Sequence, residues 1–223
     1  MLPNDSELMP MLRQRVFSAL LGDVLDKMGF LHQFLPPEVR PLRDDMIVVG
    51  RAMPVLEVSL PGDDTDPLRK PFGLMLEALD DLKPLEVYVA AAGMPPYALW
   101  GELMSTRAHR LGAAGAVMDG YSRDTAGILA VGMPVFSTGC YAQDQGPRGE
   151  VADFRVPVQF GRVRVSPGDL IFGDRDGVLV VPQAAEEECI RLALEKLEGE
   201  NLVRVAIQNG MSTVEAFAKY GVM

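Results

Sequence analysis

The feature that most constrains this chain is a hydrophobic period that changes repeatedly between residues 86 and 139. EVYVAA is a short apolar run, and PPYALW is another that leads into Gly101. GELMSTRAHRLG then switches to helical spacing, with Leu103, Met104, Ala108 and Leu111 expected on one side. AAGAVMDG reads as a buried strand, DTAGILAVG as a short helix and MPVFSTG as a further strand. Strands alternating with helices need crossover connections, and these join parallel strands whose faces the helices cover. The expected fold class is α/β: one compact β/α domain over residues 1–223 with a mixed sheet, flanked by N- and C-terminal helices.

The flanks fill out this frame. Leu12, Val16, Ala19 and Leu20, then Val24, Leu25 and Met28, recur at helical spacing over a segment of about 1–30, with Gly29 as the stop. Residues 31–45 are proline-rich and predict irregular chain. MIVVG and RAMPVLEVSL read as strands, Pro61–Pro71 as a polar surface loop and FGLMLEALDDL as a short helix. Beyond Cys140 the pattern is mostly β: VPVQFGRVRV, DLIFGD and GVLVVP, with turns at SPGD and DRDG. A long helix is expected from Gln183, striped by Ile190, Leu194 and Leu197, and a last one ends at Gly221, so that C-terminal helices fill about 183–223.

Composition removes several functions. The 223 residues carry a formal net charge of −10 with basic residues scattered, which disfavours nucleic-acid phosphate as a partner. No apolar stretch is long enough to span a bilayer, and the opening MLPNDSELMP has no export-signal pattern, so a cytoplasmic location is expected. The 2 cysteines are then expected as free thiols, and the 2 histidines lie too far apart for a His/Cys zinc site. There is neither a Walker A motif nor a glycine-rich dinucleotide loop.

Chemistry concentrates in WGELMSTRAHRLGAAGAVMDGYSRD, residues 100–124. Gly101 sits where a strand meets a helix, so the amides of Glu102, Leu103 and Met104 form an anion-binding helix start. One helix later a buried strand ends at Asp119-Gly120 and leads to Arg123-Asp124. Ligands of open α/β sheets gather beyond the carboxyl ends of strands, so these two segments are expected to meet. A guanidinium grips a carboxylate as a fork, and a lone carboxylate suits a hard cation that keeps its waters. Asp144, Arg148 and Asp153 fall in a Gly/Pro-containing loop that is a candidate pocket wall. DRDG reads simply as a turn.

The same residues carry a family likeness. Gly101-Glu102, GAAGAVMDGYSRD, VRVSPGDLIFGDRDGVLVVP and SALLGDVLDKMG together resemble the RraA-like/4-hydroxy-4-methyl-2-oxoglutarate aldolase family over nearly the whole chain. The resemblance implies a metal-dependent C–C lyase acting on a small 2-oxo acid, by retro-aldol cleavage or by oxaloacetate decarboxylation. It implies that Arg123, Asp124 and Glu102 are catalytic. Gly101, Glu102, Leu103, Met104 and Arg123 would bind substrate, Asp124 would anchor Mg²⁺ or Mn²⁺, and the metal would stabilise the pyruvate enolate. It further implies a homotrimer or homohexamer with active sites at subunit interfaces, each completed by a C-terminal glutamate for which Glu198 and Glu200 are candidates. The chain departs from the aldolase pattern at Glu102, where Asp is usual, and at Leu103-Met104, where Asn-Leu is usual. Some members are described as protein inhibitors that bind ribonuclease E, so a non-catalytic regulator is the alternative. A methyltransferase label attached to some relatives finds no cofactor loop here.

Overall fold

The computed structural model describes residues 2–61 and 69–221. Most of the polar loop expected at 61–71 lies outside the described residues. The chain opens with helices α1 (Asp5–Arg15) and α2 (Ser18–Lys27), and Gly29 follows α2 with φ +88°. The short β1 (Arg40–Pro41) precedes β2 (Val48–Ser59), α3 (Met75–Asp80), β3 (Glu86–Ala91) and β4 (Ala98–Trp100). Next come α4 (Glu102–Arg110), β5 (Gly115–Met118), β6 (Tyr121–Ser122), α5 (Thr125–Val131) and β7 (Val135–Ser137). The remaining strands are β8 (Gly149–Phe154), β9 (Val158–Phe160), β10 (Val163–Val165), β11 (Leu170–Asp174) and β12 (Gly177–Val181). Helices α6 (Glu186–Gln208) and α7 (Thr213–Tyr220) close the chain.

The main sheet runs β1-β7-β5-β3-β2-β11-β12, with β8 also on β2. The crossover half is parallel, as the alternating period requires: β2 pairs with β3, β3 with β5 and β5 with β7. The other half is antiparallel. One apolar cluster, including Trp100, Met118 and Ile128, packs α3, α4 and α5 on one face. A second, including Val48, Val89 and Phe160, joins the sheet to the β9-β10 hairpin. A third packs α1, α2 and α6 against β11 and β12 through residues such as Leu12, Leu21, Phe172 and Ile190.

Several local expectations change. MIVVG and RAMPVLEVSL form one strand, β2, because paired neighbours along it outweigh the breaks suggested by Gly50 and Pro54. VPVQFGRVRV is instead a hairpin that turns at Gly161, where φ is +59°. Residues 149–154, expected as loop, are strand β8: two acids blur their alternation, and pairing with the far half of β2 imposes the extended form. DRDG is more than a turn. Asp174 accepts from Ser18 N at 2.8 Å and Ser18 Oγ at 2.7 Å, so the hairpin caps α2. Arg51 of β2 ties both ends of the chain to the sheet, donating to Asp5 at 2.6 Å and Glu186 at 2.8 Å.

One buried acid has no such partner. Glu57 of β2 is 5% exposed and its Oε1 accepts no hydrogen bond. Burial, and secondarily Glu150, lifts its pKa from 4.5 to about 8. The folded state therefore binds more protons than the unfolded state between those values, and stability falls as pH rises from 4.5 to about 8. Glu57→Gln is expected to flatten that limb and to raise unfolding free energy at pH 8 by about 2 kcal/mol. Urea titrations across pH check this, and an unchanged slope in the variant would refute it.

Candidate active site

Three loops leave the carboxyl ends of β3, β5 and β7, on one edge of the parallel half, and they carry the site. The first returns as β4 and the second as β6, and these pair in parallel, with Ala98 opposite Tyr121 and Trp100 opposite Ser122. Arg123 N donates to Trp100 O at 2.9 Å, which sets Arg123-Asp124 beside Gly101. The third loop adds another rung: Ala98 N donates to Gln143 O at 2.8 Å, and Tyr141 N to Ser122 O at 2.9 Å. The expected meeting of the Gly101 and Arg123-Asp124 segments is thus made by backbone pairing.

Gly101 is needed for space. Its backbone is extended, but a Cβ there would lie 2.7 Å from Asp124 Oδ2. That oxygen faces the start of α4, 3.4 Å from Glu102 N. The next turn leaves the amides of Leu103 and Met104 without helical acceptors, since Ser105 N is the first to bond back, to Gly101 O. Asp124 sits at φ +57°, the left-handed region that Asp tolerates better than most residues, immediately before α5. Arg123 lies between two carboxylates, with Nε 3.8 Å from Asp124 Oδ2 and Nη1 3.3 Å from Asp144 Oδ1. Its side chain keeps 38% of its surface exposed, so the fork is reachable.

These groups open onto a cavity of about 260 Å³, lined among others by Gly101, Leu103, Met104, Arg123, Asp124, Asp144 and Gln145. Glu102 is placed differently. Its carboxyl turns onto α5, where a Cβ on Gly127 would lie 2.3 Å from Oε2, and it does not line the cavity. The inward face of α4 is Ser105 and Ala108, whereas Leu103, expected on that face, is 82% exposed. The first turn of α4 overhangs the cavity at the sheet edge, so Leu103 forms a rim. Ser105 instead accepts from Trp100 Nε1 at 2.7 Å.

Asp119 acts behind the site. It is 2% exposed, and its Oδ2 accepts from Gly93 N at 2.9 Å while its backbone O accepts from Met94 N at 3.1 Å. Burial raises its pKa, against the lowering effect of the backbone amides of 92–94. The acid thereby pins the loop that delivers β4 and Gly101. Of the candidate loop residues, Asp144 reaches the cavity, Arg148 donates to Asp144 O at 3.0 Å, and Asp153 lies on β8. Glu198 is exposed on α6, and Glu200 pairs with Lys196 at 3.2 Å, neither of them at this cavity. The wall that sequence reasoning missed is Phe72, Met75, Leu76 and Leu79. Its signal was Leu76, an apolar residue outside the buried face of α3. Cys140 and Cys189 are both free thiols.

The sequence pattern of the RraA-like family, described as Aldolase/RraA, matches residues 18–180. The chain belongs to that family. A protein of Halalkalibacterium halodurans provisionally named 4-hydroxy-4-methyl-2-oxoglutarate aldolase is 32% identical over 184 residues, covering 82% of each chain. A solved structure from Streptomyces coelicolor, described as an unusual member of the RNase ES inhibitor RraA protein family, is 27% identical. It superposes with a TM-score of 0.79 and covers 91% of this chain and 99% of that one. An uncharacterized protein from Pseudomonas syringae shares the fold at a TM-score of 0.85 with 24% identity, covering 98% of this chain and 96% of that one.

Gly101→Ala separates site from fold. The group that a new Cβ meets is the end of a flexible side chain, which turns aside cheaply. Unfolding free energy is expected to change by less than about 1 kcal/mol. Calorimetry should nonetheless show pyruvate, a minimal 2-oxo carboxylate, binding about tenfold more weakly or worse, because the new methyl group intrudes between the start of α4 and the Arg123 guanidinium. Unchanged pyruvate affinity would remove Gly101 from the site.

Proposed function

We propose that this chain is a divalent-metal-dependent C–C lyase acting on a small 2-oxo acid, releasing pyruvate by retro-aldol cleavage or by decarboxylation of oxaloacetate. The observation that carries this reading is the exposed Arg123 fork beside the open N-terminus of α4, with Asp124 turned toward the same helix start. Arg123 and the amides of Leu103 and Met104 bind the substrate carboxylate. This orients the 2-oxo group toward Asp124 and places developing negative charge against fixed dipoles. Glu102, whose carboxyl faces α5 outside the cavity, would act on a proton only through an intervening water.

The residues fit a bound Mg²⁺ or Mn²⁺. The mouth carries the carboxylates of Asp124 and Asp144 around one guanidinium, so an anionic substrate approaches more readily with a further cation present. Among the described residues no three His, Cys, Asp or Glu side chains form a closed metal cage. One carboxylate with several waters is what Mg²⁺ accepts. When bound, the ion supplies Lewis acidity at the 2-oxo oxygen.

A homo-oligomer, trimer or hexamer, is part of this reading. Leu202, Val205, Val214 and Phe217 leave an exposed apolar surface on α6 and α7. The second reading, a regulator that binds ribonuclease E or another protein, is favoured by the description of the Streptomyces relative as belonging to an RNase inhibitor family. No helix among the described residues is long and apolar enough to cross a membrane.

Purified protein with Mg²⁺ or Mn²⁺ is expected to release pyruvate from oxaloacetate or 4-hydroxy-4-methyl-2-oxoglutarate above the metal-only background, and to lose this with chelator. Arg123→Ala and Asp124→Ala should each lower kcat/KM by about a hundredfold or more. Full activity in both variants would remove the assignment, and no release from either substrate would favour the regulator. Sedimentation equilibrium is expected to give three or six copies, and a monomer at micromolar concentration would contradict an interface site.

A further inference from the structure

The cavity is lined by few charged and many apolar residues. Among the described residues Arg123 is the single cation lining it. Arg148 donates to Asp144 O at 3.0 Å and Arg69 pairs with Glu150 at 3.2 Å, and neither guanidinium lines the cavity. The lining also includes Phe72, Met75, Leu76, Leu79, Leu99 and Met104, with the Gln145 amide nitrogen 3.6 Å from Met75 Sδ. The cavity holds about 260 Å³, room for roughly nine water-sized groups at about 30 Å³ each.

This distribution selects among 2-oxo acids. With the first carboxylate on Arg123 and the α4 amides, the substituent at C4 lies toward the α3 wall. A second carboxylate there would lose water without gaining a counter-charge from this chain's own lining. An alkyl or aryl group gains instead, roughly fourfold in affinity for each buried methylene. Building on the lyase reading above, we propose that the preferred substrates are 4-hydroxy-2-oxo acids with an apolar C4 substituent, cleaved to pyruvate and an apolar aldehyde. In that step the C3–C4 bond breaks and its electron pair passes to C3 and the 2-oxo group. The C4 hydroxyl gives up its proton and C4 becomes the aldehyde carbon. A proton returned to C3 completes pyruvate, with no oxidant or reductant required.

Calorimetry with 2-oxo-4-phenylbutanoate and 2-oxoglutarate tests the pocket apart from the chemistry, since neither has a 4-hydroxyl and neither can undergo retro-aldol cleavage. The phenyl compound is expected to bind at least tenfold more tightly. Leu76→Arg, which sets a cation in a half-exposed part of the wall, is expected to narrow or invert that ratio. Equal or tighter binding of 2-oxoglutarate to the wild-type protein, or binding of neither, overturns the proposal. Pyruvate release from 4-hydroxy-2-oxo-4-phenylbutanoate and from 4-hydroxy-4-methyl-2-oxoglutarate is measured beside it. Faster cleavage of the phenyl substrate supports the proposal, and faster cleavage of the diacid overturns it while the lyase reading stands. The expected binding ratio with cleavage of neither substrate, and no oxaloacetate decarboxylation, overturns both the lyase reading and the substrate assignment.

Discussion

Strand β2 is the element on which the rest of the structure depends. It spans Val48–Ser59 and pairs with β3 along one edge, and with β11 and then β8 along the other. The parallel crossover half and the antiparallel half therefore meet on one strand. Both termini are tied to it as well, through the ion pairs of Arg51 with Asp5 and Glu186. Arg51 and Asp5 are only partly withdrawn from water while Glu186 is buried, so the cluster serves chiefly placement, and the apolar packing of α1, α2 and α6 supplies the stability.

From that frame the site follows by backbone pairing. The loops after β3, β5 and β7 leave one edge and re-pair as a small parallel layer of β4, β6 and the 140–144 segment. Gly101 and Arg123-Asp124, far apart in the chain, become neighbours because that layer holds Trp100 O against Arg123 N. The close approach is possible only where no Cβ intervenes, which is why glycine stands at 101. Asp119, buried behind the layer, pins the loop that delivers it. The mouth thus joins a fixed anion-binding helix start to an exposed guanidinium, a pairing suited to a carboxylate whose neighbouring carbon must accumulate charge.

The family contains proteins described in quite different terms, an aldolase and an RNase inhibitor among them. A shared fold does not decide between such functions, whereas the chemistry of the site does. Here that chemistry is asymmetric. Arg123, Asp124 and Asp144 are the charged groups of the cavity, and most of its other lining residues are apolar. Leu103 and Met104 belong to that difference, since both residues line the cavity.

By itself the sequence determined the α/β class, the order of most helices and strands, the parallel half, and the segments that carry Gly101, Arg123 and Asp124. Hydrophobic period and turn residues act locally and survive in one dimension. Strand β8 was not legible, because its two acids are tolerated only through pairing with β2. Nor was the outward rim position of Leu103, which depends on where the first turn of α4 meets the sheet edge. The turn of Glu102 onto α5 uses the space left by the missing side chain of Gly127, a residue on another helix. The α3 wall, the engagement of Arg148 and Arg69, and the buried Glu57 were likewise decided in three dimensions. Each reflects which side chains meet across segments distant in the chain, and such contacts leave no periodic trace in the sequence.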